Sequence, residues 1–162
     1  NINLGEAASE PGTAYCFGDG TGSACPCGNT SSSGGCGNST GGGGLLTAYG
    51  SASVSADDLA FDATGLIPSQ PVLLFVGNNA VNSGAGNQFG DGLRCAGGGV
   101  IRLQVRFASS SGASSTNVSI VTKGGRAAGD LKRYQLWYRD PNTSFCGLGF
   151  NLSNGVQVTW SA

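Results

Sequence analysis

An all-β fold, a β-sandwich or jelly roll of about eight strands with an N-terminal disulfide-rich loop region, is what this sequence predicts. Three observations predict it. Gly, Ser, Asn and Thr supply 72 of the 162 residues, whereas Glu and Lys number two each and Met is absent. Glycine costs about 1 kcal/mol in a helix interior, and small polar side chains compete for backbone hydrogen bonds, so long helices are disfavoured. Short apolar runs also recur at even spacing between Gly/Asn/Asp-rich turns, and six cysteines in a small polar chain point to disulfides and an oxidising compartment.

The organisation follows from the same rows. Residues 1–13 form an N-terminal extension, and residues 14–162 a single domain in which 15–44 is a Cys/Gly-rich knot with almost no large apolar side chains. That knot cannot build a core of its own, so cross-links must define its shape. Strands are expected over 45–56, 58–62, 71–77, 99–108, 116–123, 131–139, 145–152 and 156–160. The run PVLLFVG suits a strand buried on both faces, and Ile101, Leu103, Val105 and Phe107 alternate with Arg102, Gln104 and Arg106. Asn154-Gly155 between two apolar triplets signals a hairpin turn, because both positions of a type I′ turn need positive φ.

Composition also narrows the chemistry. The net charge is −1 and no apolar run approaches 18 residues, so neither nucleic-acid binding nor a membrane span is expected. Histidine is absent, which removes the commonest general base, the usual activator of Ser and Cys nucleophiles, and the usual transition-metal ligand. The one acidic cluster, Asp57, Asp58 and Asp62, reads as solvated turn charges, since adjacent carboxylates on a strand point to opposite faces. No nucleophile elbow or phosphate-binding loop occurs. A non-enzymatic protein, without a metal, is the expectation.

The cysteines are Cys16, Cys25, Cys27, Cys36, Cys95 and Cys146, and the spacing of the first four does not match zinc knuckles. The preferred pairing is Cys95–Cys146, Cys16–Cys27 and Cys25–Cys36; Cys25–Cys27 is disfavoured because one intervening proline leaves a strained ring. Phe17-Gly18-Asp19-Gly20 recurs as Phe89-Gly90-Asp91-Gly92. Asp19 and Asp91 read as Asx-turn residues, with a calcium ligand as the other reading. Tyr134, Leu136 and Tyr138 share one strand face and Gln135, Trp137 and Arg139 the other, so one set packs the core; Trp137 is the candidate sugar contact. Asparagine sequons at Asn29, Asn38, Asn117, Asn142 and Asn151 are candidate glycosylation sites.

The strings Tyr15–Gly22, Cys25-Pro26-Cys27-Gly28-Asn29, Phe89–Gly98, Tyr134–Asp140 and Phe150–Gly155 with Trp160 resemble a secreted module of large surface proteins of environmental bacteria, over about residues 14–160. The resemblance implies an extracellular, β-rich, disulfide-bonded module with no known active site. Two functions are expected from different classes. One is a structural subunit, secreted or on the cell surface, that binds copies of itself head to tail. Its extension would add a strand to the next copy through Ile2 and Leu4, unless it pairs with an edge of its own sandwich. The other is a carbohydrate-binding or adhesive module with glycan partners.

Overall fold

A computed structural model describes residues 11–141 and 143–162; the candidate residues Ile2, Leu4 and Asn142 lie outside them. In chain order the strands are β1 (Thr13–Tyr15), β2 (Leu45–Tyr49), β3 (Ala60–Thr64), β4 (Pro71–Gly77), β5 (Asn79–Ala80), β6 (Asn87–Phe89), β7 (Gly92–Arg94), β8 (Ala96–Gly97), β9 (Ile101–Phe107), β10 (Ser114–Ser115), β11 (Leu131–Arg139) and β12 (Phe150–Thr159). Eight of them build an antiparallel sandwich: a five-stranded sheet in the order β1-β12-β11-β4-β9 faces a three-stranded sheet in the order β10-β3-β2. The pairs β5–β8 and β6–β7 are short ribbons beside it. The fold is almost entirely β, as the composition predicts.

Strand alternation decides what fills the sandwich. Val72, Leu74 and Val76 of β4 and Tyr134, Leu136 and Tyr138 of β11 point inward against Leu46 and Ala48 of β2 and Phe61 and Ala63 of β3. The Phe61 and Tyr134 rings lie 4.9 Å apart, and Trp160 Nε1 donates to the Tyr134 hydroxyl at 3.0 Å. Burial pushes the Tyr134 phenol up to about 12, and raises that of Tyr138 further.

β4 and β11 have the expected bounds, but β2 stops at Tyr49, β3 is shifted to Ala60–Thr64 and the strand expected over 145–152 starts only at Phe150. Three further features stand out. Residues 116–123 are not a strand: Ser119 Oγ accepts from Thr122 N at 3.0 Å and caps the short helix α1 (Ile120–Gly124), which Gly125 ends at φ 65°. The reason is Ile120, 1% exposed, which plugs the core from a helical turn. Asn154-Gly155 makes no hairpin, because β12 continues through it, with a bulge that sets Ser153 and Asn154 opposite Leu136. Asn154 Oδ1 accepts from Leu46 N at 2.9 Å and its Nδ2 donates to Leu46 O at 3.1 Å, so the side chain bridges the two sheets. Gly155 is required by the Tyr15 ring, which stands 2.5 Å from where a Cβ would be. Finally, β9 is an edge strand: Leu103 is buried, but Val105 and Phe107 are 63% and 69% exposed.

The outer face of the large sheet is covered by chain of a different kind. Residues 16–44 contain no named strand and are held by scattered backbone bonds such as Gly18 N to Gly34 O and Gly35 N to Gly44 O, together with side chains and disulfides. All six cysteines pair, as Cys16–Cys95, Cys25–Cys36 and Cys27–Cys146. Of the expected pairs, Cys25–Cys36 is present, whereas Cys95–Cys146 and Cys16–Cys27 are replaced. β1 sets Cys16 against Cys95, since the Tyr15 hydroxyl donates to Cys95 O at 2.9 Å. Asn29 donates to Asp91 O at 2.7 Å, and the Asp91 carboxylate accepts from Cys146 N at 3.1 Å, which brings the Cys27 segment to Cys146.

Candidate functional site

Two open features lie on the large sheet, one on its outer face and one along an edge. The first is a groove of ≈ 410 Å³ in the part of the outer face that the knot leaves uncovered. Leu73 and Phe75 of β4 and Trp137 of β11 form its floor, because odd-numbered residues of both strands point away from the core. Trp137 stacks on Phe150 at 5.7 Å between centroids with a 28° tilt, and Phe89 meets Phe150 edge-on at 5.2 Å. Arg94 and Arg102 contribute to the walls. The Arg94 guanidinium lies 5.9 Å from the Phe89 ring centre and donates to Ala96 O at 3.3 Å. The ion pair present among the described residues is Arg126–Asp130, so neither groove arginine faces a carboxylate. Half-buried aromatics with two cations suit a flat ligand carrying negative charge.

The second feature is the β9 edge. Beyond β9 no described strand continues the ladder. A cleft of ≈ 340 Å³ lined by Leu103, Val105, Val118 and Lys123 runs beside it, between the strand and the segment leading to α1. A second hollow continues along Arg106, Phe107, Ser114 and Ser115. Side chains rather than backbone close the gap: Arg106 Nη1 donates to Ser115 O at 2.7 Å, and Asn117 N donates to Gln104 Oε1 at 3.2 Å. The other sandwich edges are occupied or short. Asn154 takes the Leu46 backbone of β2, while β10 has two residues and β1 three.

The remaining candidates divide clearly. Asn29, Asn38 and Asn151 are at most 1% exposed, and their amides donate to Gly37 O and Asp91 O, to Gly65 O and Tyr138, and to Cys36 O and Gly37 O. No glycan fits on an amide so placed; these three positions are structural, and the corresponding expectation is corrected. Asn117 is exposed. Asp19 accepts from Thr21 N at 3.1 Å and from Thr21 Oγ1 at 2.6 Å, and these bonds hold its carboxyl below the usual range. Asp91, fully buried, accepts from Cys146 N and Leu148 N, each at 3.1 Å. Asp19 therefore closes its own Asx turn as expected, whereas Asp91 does not: its carboxylate anchors the distant 146–148 segment instead. No group of three or more His, Cys, Asp or Glu able to hold a metal occurs among the described residues.

Sequence reasoning singled out Trp137 but missed Phe89, Arg94, Arg102 and Phe150 beside it. These come from three separate segments, the β6–β7 hairpin, β9 and β12, and nothing in their local patterns announces that they converge. No family model, curated protein or solved structure matches the chain. No helix among the described residues is long and apolar enough to cross a membrane.

Proposed function

We propose that the protein is a non-enzymatic, extracellular structural subunit that polymerises head to tail through its N-terminal extension. The observation that carries this reading is the unlikeness of the two edges of the large sheet. At one edge the chain arrives as the three-residue β1, after an extension; at the other lies the seven-residue β9, with apolar side chains in solvent. A donor at one edge and an acceptor at the opposite edge form a heterologous contact that does not close on itself, which is the geometry of a fibre. Three disulfides and the resemblance to secreted surface modules favour an extracellular setting. The test is deletion of residues 1–10. Folded, fully oxidised monomers are expected by electron microscopy and light scattering where the whole chain forms fibres; fibres from the truncated protein would defeat the reading.

A second reading, a carbohydrate-binding module, is favoured by the Trp137–Phe150 platform and the two groove arginines, neither of which has a carboxylate partner among the described residues. It expects binding to acidic polysaccharide that is lost in Trp137→Ala and reduced in Arg102→Ala. A glycan array with both variants separates it from the first.

A further inference from the structure

We infer that the β9 edge, with the cleft beside Leu103 and Val105, is the seat for residues 1–10 of a second copy. The inference rests on the polymer reading and locates its acceptor. Three arguments converge on β9. It is the longest edge strand, with no described strand beyond it, whereas the shorter β2 edge already gives its Leu46 N–H and C=O to Asn154. Its apolar exposure matches the donor: Asn1-Ile2-Asn3-Leu4 alternates, so Ile2 and Leu4 present one apolar face to the cleft lined by Leu103, Val105 and Val118. The larger hollow near β1 is lined more by polar than by apolar surface, with Thr13, Asn79, Ser83 and Arg133 among its groups, whereas the β9 cleft is mainly apolar.

Charge is the third argument. Both glutamates of the chain, Glu6 and Glu10, lie in the extension, which holds no Lys or Arg. The β9 edge presents Arg102, Arg106 and Lys123. The nearby acids Asp57 and Asp62 are engaged by the Ser119 and Ser115 hydroxyls, at 2.8 and 2.5 Å for the nearest oxygens. Extended, twelve residues span about 40 Å. Reaching the subunit's own β9 would consume about 19 Å of that in crossing four strand spacings, whereas a neighbour can take the full length of the segment.

Three proteins test this: the whole chain, the chain lacking residues 1–10 (acceptor only), and Val105→Glu/Phe107→Glu (donor only). The two glutamates oppose the acidic extension and replace exposed side chains, so the donor-only protein folds, which circular dichroism verifies. Each single-function protein is expected to stay monomeric, and an equimolar mixture to give dimers and nothing larger. A synthetic peptide of residues 1–12 should bind the acceptor-only protein and not its Val105→Glu/Phe107→Glu form. Its Glu6→Gln/Glu10→Gln version should bind roughly fivefold more weakly at low salt, a difference that fades at high salt. Fibres from Val105→Glu/Phe107→Glu, or a mixture that remains monomeric, would overturn the β9 seat while leaving the donor role of the extension standing. Fibres from the truncated chain would instead remove the polymer reading itself.

Discussion

On the inner face of the large sheet, Val72, Leu74, Leu136 and Val158 meet the small sheet through apolar contact, and burial of surface does the stabilising. On the outer face Gln135, Asn151 and Asp91 are as deeply buried, yet each directs its polar atoms at backbone groups. Gln135 alone accepts from Cys95 N at 2.8 Å and donates to Leu93 O at 2.9 Å and Ser153 O at 2.6 Å. The outer layer is glycine-rich chain with only short paired ribbons and scattered backbone bonds, so polar side chains supplement the ladder it lacks and disulfides limit its freedom when unfolded. The difference teaches that the two faces fail in different ways. The inner face depends on volume, the outer on connectivity and on every polar partner being present.

The largest effect should come from cutting that connectivity. Removing Cys16–Cys95 or Cys27–Cys146 as Ser pairs opens loops of 79 and 119 residues, worth about 4–5 kcal/mol each by the chain-entropy argument, against about 3 for Cys25–Cys36. Denaturant midpoints should fall furthest for the two long-loop variants and least for the Cys25–Cys36 variant, and midpoints unchanged from the parent in all three would show that the outer layer is held by its hydrogen bonds alone. On the inner face, Leu74→Ala should cost about 3–4 kcal/mol through the cavity it leaves; the same midpoint assay reads it, and the loss should persist under reducing conditions.

Alkali attacks the buried phenols. Tyr15, Tyr134 and Tyr138 titrate higher in the fold than unfolded, chiefly through burial. Above pH 10 the unfolded chain has lost protons that the folded chain retains, so their contribution to stability is complete below pH 10 and falls as pH rises toward 12. Thermal melts from pH 8 to 12 should show this decline, and Tyr134→Phe should make it shallower. Asp91→Asn tests the outer layer more gently. It replaces one of two accepting oxygens by a donor facing Cys146 N or Leu148 N, for about 2 kcal/mol, with faster amide exchange over residues 144–149. The smallest effect belongs to Arg102→Ala, an exposed groove residue with no carboxylate partner among the described residues. It should shift stability by less than about 0.5 kcal/mol, and a larger loss would mean that the groove is part of the scaffold.

Much of the sandwich was legible because alternation encodes a strand that faces its core on one side. β4 and β11 could be bounded to the residue, and the inward set Tyr134, Leu136 and Tyr138 was one of two evident choices. β9 shows the limit of that signal. Its alternation is as regular as that of any strand, but a period of two does not say whether a neighbour lies beyond the edge. Asn154-Gly155 misleads for a related reason: the pair meets the demands of a tight turn, and equally those of a side chain bridging two sheets beside a glycine that admits the Tyr15 ring. The disulfide partners are fixed by contacts between segments up to 119 residues apart, and so are the groove residues; no local pattern carries that information.

The position of Cys16 has a mechanical consequence. It directly follows β1, and its partner Cys95 stands six residues before the start of β9. If neighbours in a fibre pull on the extension and on β9, tension passes from Thr13 through Cys16, across one sulfur–sulfur bond, and out along residues 96–100. That covalent route bypasses residues 17–94, with β2, β3 and β4 among them, so a stretched subunit can surrender the three-residue β1 pairing and go no further. Under a reductant the same pull would run through the folded sandwich, and single-molecule extension should change from short, force-resistant steps to full unravelling.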